Sequence, residues 1–376
     1  MDRLALPLPI GRLPAPQSVT AMVALEPVYN ILMSMVALSG AEDYGGLDEW
    51  VERTRHQLDE ETLARHDLLF GWLWLDALTN AVERGPATAS FPAYLEALAA
   101  QDPVLLRDKL FYWLLHSPHL FVGYDYFLRT PPEPAELLAD YAAFVRFFEE
   151  TLRAKAELPN PRPFFELLNA PQELQPLLVG HLQWLWDHVV AAEWQRIQPR
   201  LQTIVDAFQH TQLEGIPLLE AMQTVTGRDL RAAFRLETLL TYQQVRFIPQ
   251  IHNGPYILWF GDAAELRIGF PAHMPASAVV VPSTPLLDQS TAVNRLKALA
   301  DETRLAILDA LRQQERLSTQ EIIDRFGLDK SAASRHLRQL VATSLVEPQR
   351  DEGAKKVYQI NPKAIDEVVK LLLNFL

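Results

Sequence analysis

Leu296–Leu340 reads LKALADETRLAILDALRQQERLSTQEIIDRFGLDKSAASRHLRQL, and Leu345–Ile360 continues with LVEPQRDEGAKKVYQI. Three helix starts are written into this stretch. Asp301 stands as an N-cap before Glu302–Arg312. Ser318 and Glu321 form S-x-x-E, a capping box at the head of Thr319–Phe326. Gly327 follows where a left-handed C′ residue is wanted, and Asp329 caps Lys330–Thr343. The second of these two closely joined helices presents Lys330, Ser331, Ser334, Arg335 and Arg338 on its first turns, with His336 close by, while Ala333, Leu337 and Leu340 face inward. Leu345–Arg350 and Lys355–Ile360 then predict two strands joined by Asp351-Glu352-Gly353-Ala354. Helix, tight turn, helix and β-hairpin in this order predict a winged helix-turn-helix over 291–376.

The side chains suit DNA. Short hydroxyls at a helix N-terminus approach phosphates and base edges closely, and arginine makes a bidentate contact with guanine. Arg350, Lys355 and Lys356 flank the hairpin where cations grip backbone phosphates. Thr319 and Gln320, at the start of the preceding helix, complete the candidate DNA-binding set.

The segment resembles the arsenic-repressor (ArsR/SmtB) family of bacterial transcriptional regulators over about 85 residues. LADETRLAILDAL, the S-x-x-E helix start, GLDKSAASRHLRQL and the charged wing RDEGAKKVY carry the resemblance. It implies a homodimer joined through the first and last helices, Ala292–Leu299 and Lys363–Leu376. The last helix has an apolar stripe at Ile365, Val368, Val369, Leu372 and Phe375, suited either to a partner helix or to its own domain. Metal-sensing members use thiolates before the recognition helix, or Asp and His paired with His and Glu on the last helix. Here cysteine is absent, and the last helix offers Asp366 and Glu367 without a histidine, so neither familiar metal site is expected. Ser344 stands where a glycine commonly ends the recognition helix.

With 376 residues, two or more domains are expected, and 49% hydrophobic residues supply a sizeable core. The lack of cysteine excludes disulfides and thiol catalysis and fits a cytoplasmic protein. Val19–Leu38 is apolar but interrupted by Glu26, Pro27 and Asn30, which predicts a buried helix and no membrane span. Met1–Gln17, with four prolines, does not read as a signal peptide. Residues 290–376 hold 14 basic and 12 acidic residues, against 20 and 35 in the remainder. So acidic a body is repelled by a duplex, which assigns DNA contact to the C-terminal module.

The expected fold is mainly α. Residues 18–242 read as helices broken at Gly45-Gly46, Gly85-Pro86, Pro131-Pro132 and Pro159–Pro163, without a convincing internal repeat. Val245–His252, Tyr256–Phe260 and Leu266–Phe270 predict a small antiparallel meander. The expected division is a helical sensor or dimerisation domain over 1–270, with the meander at 245–270, a proline-rich linker over 271–290 and the winged module over 291–376. Leu182–Phe270 also resembles the uncharacterised N-terminal domain of some long ArsR-type regulators, through LWDHVVAAEWQRIQPRL and IPQIHNGPYILWF. That resemblance implies no ligand and no reaction.

Other chemistry is sparse. His116 and His119 have H-x-x-H spacing, but Pro118 interrupts regular presentation and further ligands are needed. His181 and His188, seven apart, are placed to share a helix face with Trp184, either packed in the core or as a pocket wall. Trp186, His188, Trp194, Tyr256 and Trp259 are the candidate walls of a pocket for a small organic effector. Nucleotide-loop, hydrolase and metalloprotease motifs are missing, and no cofactor is expected. The reading is a dimeric regulator, a repressor before an activator, binding a palindromic operator and sensing an effector through its body. The alternatives are a body that serves as an interaction or dimerisation scaffold and, third, an enzyme fused to a DNA reader.

Overall fold

A computed structural model of the chain describes residues 19–39, 45–116, 132–151, 160–211, 213, 215–230, 242–262, 264–275, 289–350 and 356–373. The fold is mainly α, as the sequence predicts. The body contains β1 (Thr20–Val23), α1 (Pro27–Ser39), α2 (Glu49–Gln57), α3 (Glu60–Phe70), α4 (Leu75–Asn80), α5 (Phe91–Ala99), α6 (Pro103–His116), α7 (Pro134–Ala139), α8 (Tyr141–Thr151), α9 (Pro161–Asn169), α10 (Pro171–Leu185), α11 (Ala191–Phe208), α12 (Leu218–Thr226), β2 (Gln244–Gln250), β3 (Leu258–Gly261) and β4 (Glu265–Pro271). The module contains α13 (Gln289–Leu299), α14 (Glu302–Gln314), β5 (Leu317–Ser318), α15 (Thr319–Phe326), α16 (Lys330–Ala342), β6 (Val346–Arg350), β7 (Lys356–Ile360) and α17 (Pro362–Leu373).

Among the described residues, one apolar cluster runs from Val28 to Ala272 and another from Ala298 to Ala364. Helix α1 lies at the centre of the first because its sequence, PVYNILMSMVALS, is apolar almost all round. Its polar exceptions are matched: Asn30 Nδ2 donates to Pro249 O at 2.7 Å, and Ser34 Oγ lies 2.7 Å from His252 Nδ1. The expected single helix over Val19–Leu38 divides into β1 and α1, separated before Pro27. Among the described residues no helix is long and apolar enough to cross a membrane.

The antiparallel meander is corrected. The strand order is β1-β2-β4-β3, with β1 and β4 both parallel to β2 and only β3 antiparallel to β4. The turn after β2 is not a tight hairpin, because its side chains are anchored in the helices. His252 reaches Ser34 and Glu193, and Asn253 Nδ2 donates to Met33 O. That displaces β3 outward and leaves the place beside β2 to β4. Both central strands are buried almost end to end, as parallel strands covered on two faces are. Gly254, at φ +53°, is required here, since a Cβ would stand 2.0 Å from Gly46 O.

The module follows the sequence closely. Asp301 accepts from Arg304 N, Ser318 and Glu321 close both halves of the capping box, and Asp329 accepts from Ala332 N. Gly327 ends α15 at φ 63°. Strands β6 and β7 form the wing, and β5 adds to β7 on its other side. After α16, Ser344 takes φ 59°. A left-handed backbone costs an L-residue on the order of 1–2 kcal/mol, partly offset by the greater freedom of glycine in the unfolded chain. Ser344→Gly is therefore expected to stabilise the module by about 0.5–1 kcal/mol. A chemical-denaturation midpoint that stays put or falls would refute this.

Candidate nucleic-acid interface

Capping by Asp329 fixes the start of α16, and the inward packing of Ala333, Leu337 and Leu340 fixes its rotation. Lys330, Ser331 and Arg335 are consequently exposed on the outer face. Ser334 and Arg338 are half-buried, and Arg338 Nε donates to Ser334 O at 3.3 Å. Ser331, Arg335 and Arg338 follow the i, i+4, i+7 spacing of one helix face. At the head of α15, Thr319 is half-buried and Gln320 is exposed, its amide donating to Asp324 Oδ1 at 2.8 Å. On the wing Lys356 is exposed, its ammonium 5.3 Å from the centre of the Tyr358 ring. Lys355 and the side chain of Arg350 lie outside the described residues.

His336 is corrected. It lies one residue round from Arg335, about 100° on the helix, and so turns into the module, where only 9% of it is exposed. Its Nδ1 stands 3.7 Å from Asp301 Oδ1 and has no hydrogen-bond partner. Burial pushes its pKa below the ordinary value against the opposing pull of Asp301, with Arg304 and Arg335 lowering it further. It is a packing residue and no DNA contact. Sequence reasoning missed its neighbour Gln339, which is buried, accepts from Arg304 Nη1 at 2.9 Å and packs against Gly45 of the body.

Residues 299–349 match a family model described as a helix-turn-helix domain. An 85-residue stretch of the chain is 36% identical to the nodulation protein NolR of Rhizobium meliloti, covering 23% of this chain and 66% of that protein, just under two thirds of its length. The C-terminal module is a helix-turn-helix domain of the DNA-binding, transcription-regulating kind. The exposed face of α16 is the surface such a domain presents to the major groove.

The expected single aromatic pocket in the body divides. Trp186 is half-buried, its ring 5.3 Å from that of Phe91, and Trp194 is buried in the core. His188 is exposed and, with Trp50, Trp184, Glu193 and Arg196, lines an open cleft of about 490 Å³. Tyr256 and Trp259 line a different cleft, between body and module. The physical reason is the π-helical turn Trp186–Val190 joining α10 to α11. Its extra residue rotates everything after it, so the regular helical phase expected from 171 to 207 is lost. For the same reason His181 and His188 do not share a face. His181 is buried against His66, whereas His188 bonds through Nδ1 to Trp184 O.

A Ser–His–Glu line crosses the core. His252 Nε2 donates to Glu193 Oε1 at 2.8 Å, and its Nδ1 faces Ser34 Oγ. Burial raises the Glu193 pKa, but the hydrogen bonds from His252 and Arg196 outweigh it and hold the group at about 2. Ser34 is 4% exposed, also stands 2.9 Å from its own helix at Asn30 O, and lines neither cleft. With no path for a substrate carbonyl, the line ties α1, α11 and the β2–β3 turn together. The described residues contain no group of three or more His, Asp or Glu placed to hold a metal, and Glu367 is ion-paired with Arg295 at 2.7 Å. His116 bonds to Tyr112 O, while His119 lies outside the described residues.

Proposed function

We propose that the protein is a cytoplasmic transcriptional regulator of the ArsR type, which binds a palindromic operator as a homodimer and represses until its body binds an effector. The observation that carries the reading is the outer face of α16. Lys330, Ser331 and Arg335 are exposed together on a helix that is capped, correctly rotated and flanked by a wing. Dimerisation has separate support. Val293 on α13, Leu305 on α14 and Val369 on α17 are large apolar residues that are 43%, 49% and 47% exposed. They lie on the module's own helices, as a partner surface requires. The body's 35 acidic residues leave the duplex to the module. We also propose that the protein is not an enzyme.

The direct test is binding of the full chain to DNA from upstream of its own gene, with random duplex as competitor. Selective binding of two chains per site is expected. Equal affinity for both DNAs would sink the operator reading, and one chain per site would sink the dimer.

The wing gives a second test. Replacing Lys355 and Lys356 together by alanine is expected to weaken binding on every sequence. It should also flatten the dependence of log affinity on log salt by up to about two counterions, because each phosphate-bound cation releases about one. An unchanged slope removes the wing from the interface.

A further inference from the structure

Between body and module lies a cleft of about 460 Å³, within the size range of small-molecule sites. The body contributes Arg228, Tyr256 and Trp259; the module contributes Arg338 from α16 with Lys356 and Tyr358 from the wing. The chemistry of the cleft is uneven. Arg295, which also borders it, is neutralised by Glu367 at 2.7 Å. Arg228 is not neutralised. Its guanidinium donates to two carbonyls, Pro255 O and Ala342 O, and has no carboxylate partner among the described residues. It is half-open to water yet surrounded by protein, as the floor of a cleft is, and burial and the like charge of Arg295 both press its pKa down, to about 10. A cation held this way is most readily relieved by an anion, since a carboxylate pairs with guanidinium through two parallel hydrogen bonds. The aromatic walls supply the apolar contact that water does not offer.

We propose that this cleft binds a small organic anion, a carboxylate on an aromatic or apolar frame, with Arg228 as its counter-ion, and that the bound anion opposes DNA binding. The direction follows from shared residues. Arg338 and Lys356 line the cleft and belong to the DNA-facing set, so an anion and DNA phosphates compete for the same cations. By linkage, DNA must weaken the anion by the same factor as the anion weakens DNA. The coupling, though not the cleft, rests on the module being a DNA reader.

Full-length protein is titrated calorimetrically with benzoate, phenylacetate, cinnamate and 2-naphthoate, and with the methyl ester of each. At least one acid is expected to bind once per chain, its ester about tenfold more weakly or not at all. Arg228→Gln should abolish that binding and Arg228→Lys should keep part of it. No acid binding at millimolar concentration, acid and ester binding alike, or binding indifferent to Arg228→Gln would each overturn the site. The acid–ester comparison on the unaltered protein stands even if a variant folds poorly. DNA affinity without any acid reads the regulator proposal alone, so failure there leaves the cleft standing. DNA affinity at saturating acid reads the coupling, where about a tenfold loss is expected. An unchanged affinity with the acid bound overturns that coupling.

Discussion

Lowering the pH from 6.5 to 4.5 is expected to remove roughly 5 kcal/mol from the stability of the helical body, enough to unfold a domain of ordinary stability. His66 on α3 and His181 on α10 meet in the core, Nδ1 to Nε2 at 3.1 Å, with 0% and 1% exposure. The His66 ring stacks on Phe70 at 4.4 Å, and the remaining nitrogens of the pair have no hydrogen-bond partner. Burial disfavours the charged form of both. The charges of His181 and Arg55 add to this at His66, and that of Arg65 at His181, bringing the two pKa values down to about 3 and about 4.

In the unfolded chain both rings take up protons near pH 6.5; in the folded chain they stay neutral to much lower pH. Within that window the unfolded state binds more protons, so stability falls as pH falls, by about 1.4 kcal/mol per unit for each ring. Glu193 acts in the same direction but later. Its depressed pKa contributes stability above about 4.5 that is lost as pH drops towards about 2. Denaturant melts at a series of pH values test this. A flat profile between 6.5 and 5, or an equally steep one in the double variant His66→Phe, His181→Leu, would disprove the assignment to this pair.

What was legible in the sequence was local. Ser318 and Glu321 are three residues apart, and Asp329 caps an N–H three residues on, so each signal and its partner lie within one helical turn. The outer face of α16 followed from the same short-range pattern. The exception was His336, where 13 residues of helix left the angle between Arg335 and its neighbour to be decided by packing against Asp301. What was illegible depends on partners far along the chain. Thr20 pairs with Gln244, Asn30 with Pro249 and His66 with His181, and nothing in the local pattern announces these meetings. The π-helical turn at Trp186–Val190 is also invisible to a reading that assumes 3.6 residues per turn, and it moved the aromatic candidates apart. Arg228 carried no signal in the sequence, because its meaning arises only where body and recognition helix come together. The signal nearest to it was Gly227, which ends α12 in the left-handed conformation and sets the arginine at the domain junction.

Arg335→Ala is expected to lower affinity for the specific DNA site about 5- to 150-fold, corresponding to about 1–3 kcal/mol, with little change in protein stability. Arg335 is exposed on the second turn of α16, one turn beyond Ser331, and has no ion pair among the described residues. Its planar fork is therefore available for the two acceptors of a guanine edge. Arg338, one turn further on, is tied to Ser334 O and lines the cleft beside the body, which fits a phosphate contact better than a base contact. The two roles separate under competition with random duplex. Loss of a base contact lowers specific affinity and leaves non-specific affinity nearly unchanged, whereas loss of a phosphate contact lowers both. Arg335→Lys sharpens the distinction, because it keeps the charge and loses the fork. It should retain non-specific binding and still lose selectivity. Equal losses on both DNAs for Arg335→Ala, restored by lysine, would make Arg335 a phosphate contact and shift base reading to Lys330 and Ser331. His336→Ala provides the internal control. That side chain lies beneath the helix, so its loss is expected to lower the melting temperature of the module while leaving the preferred DNA sequence as it was.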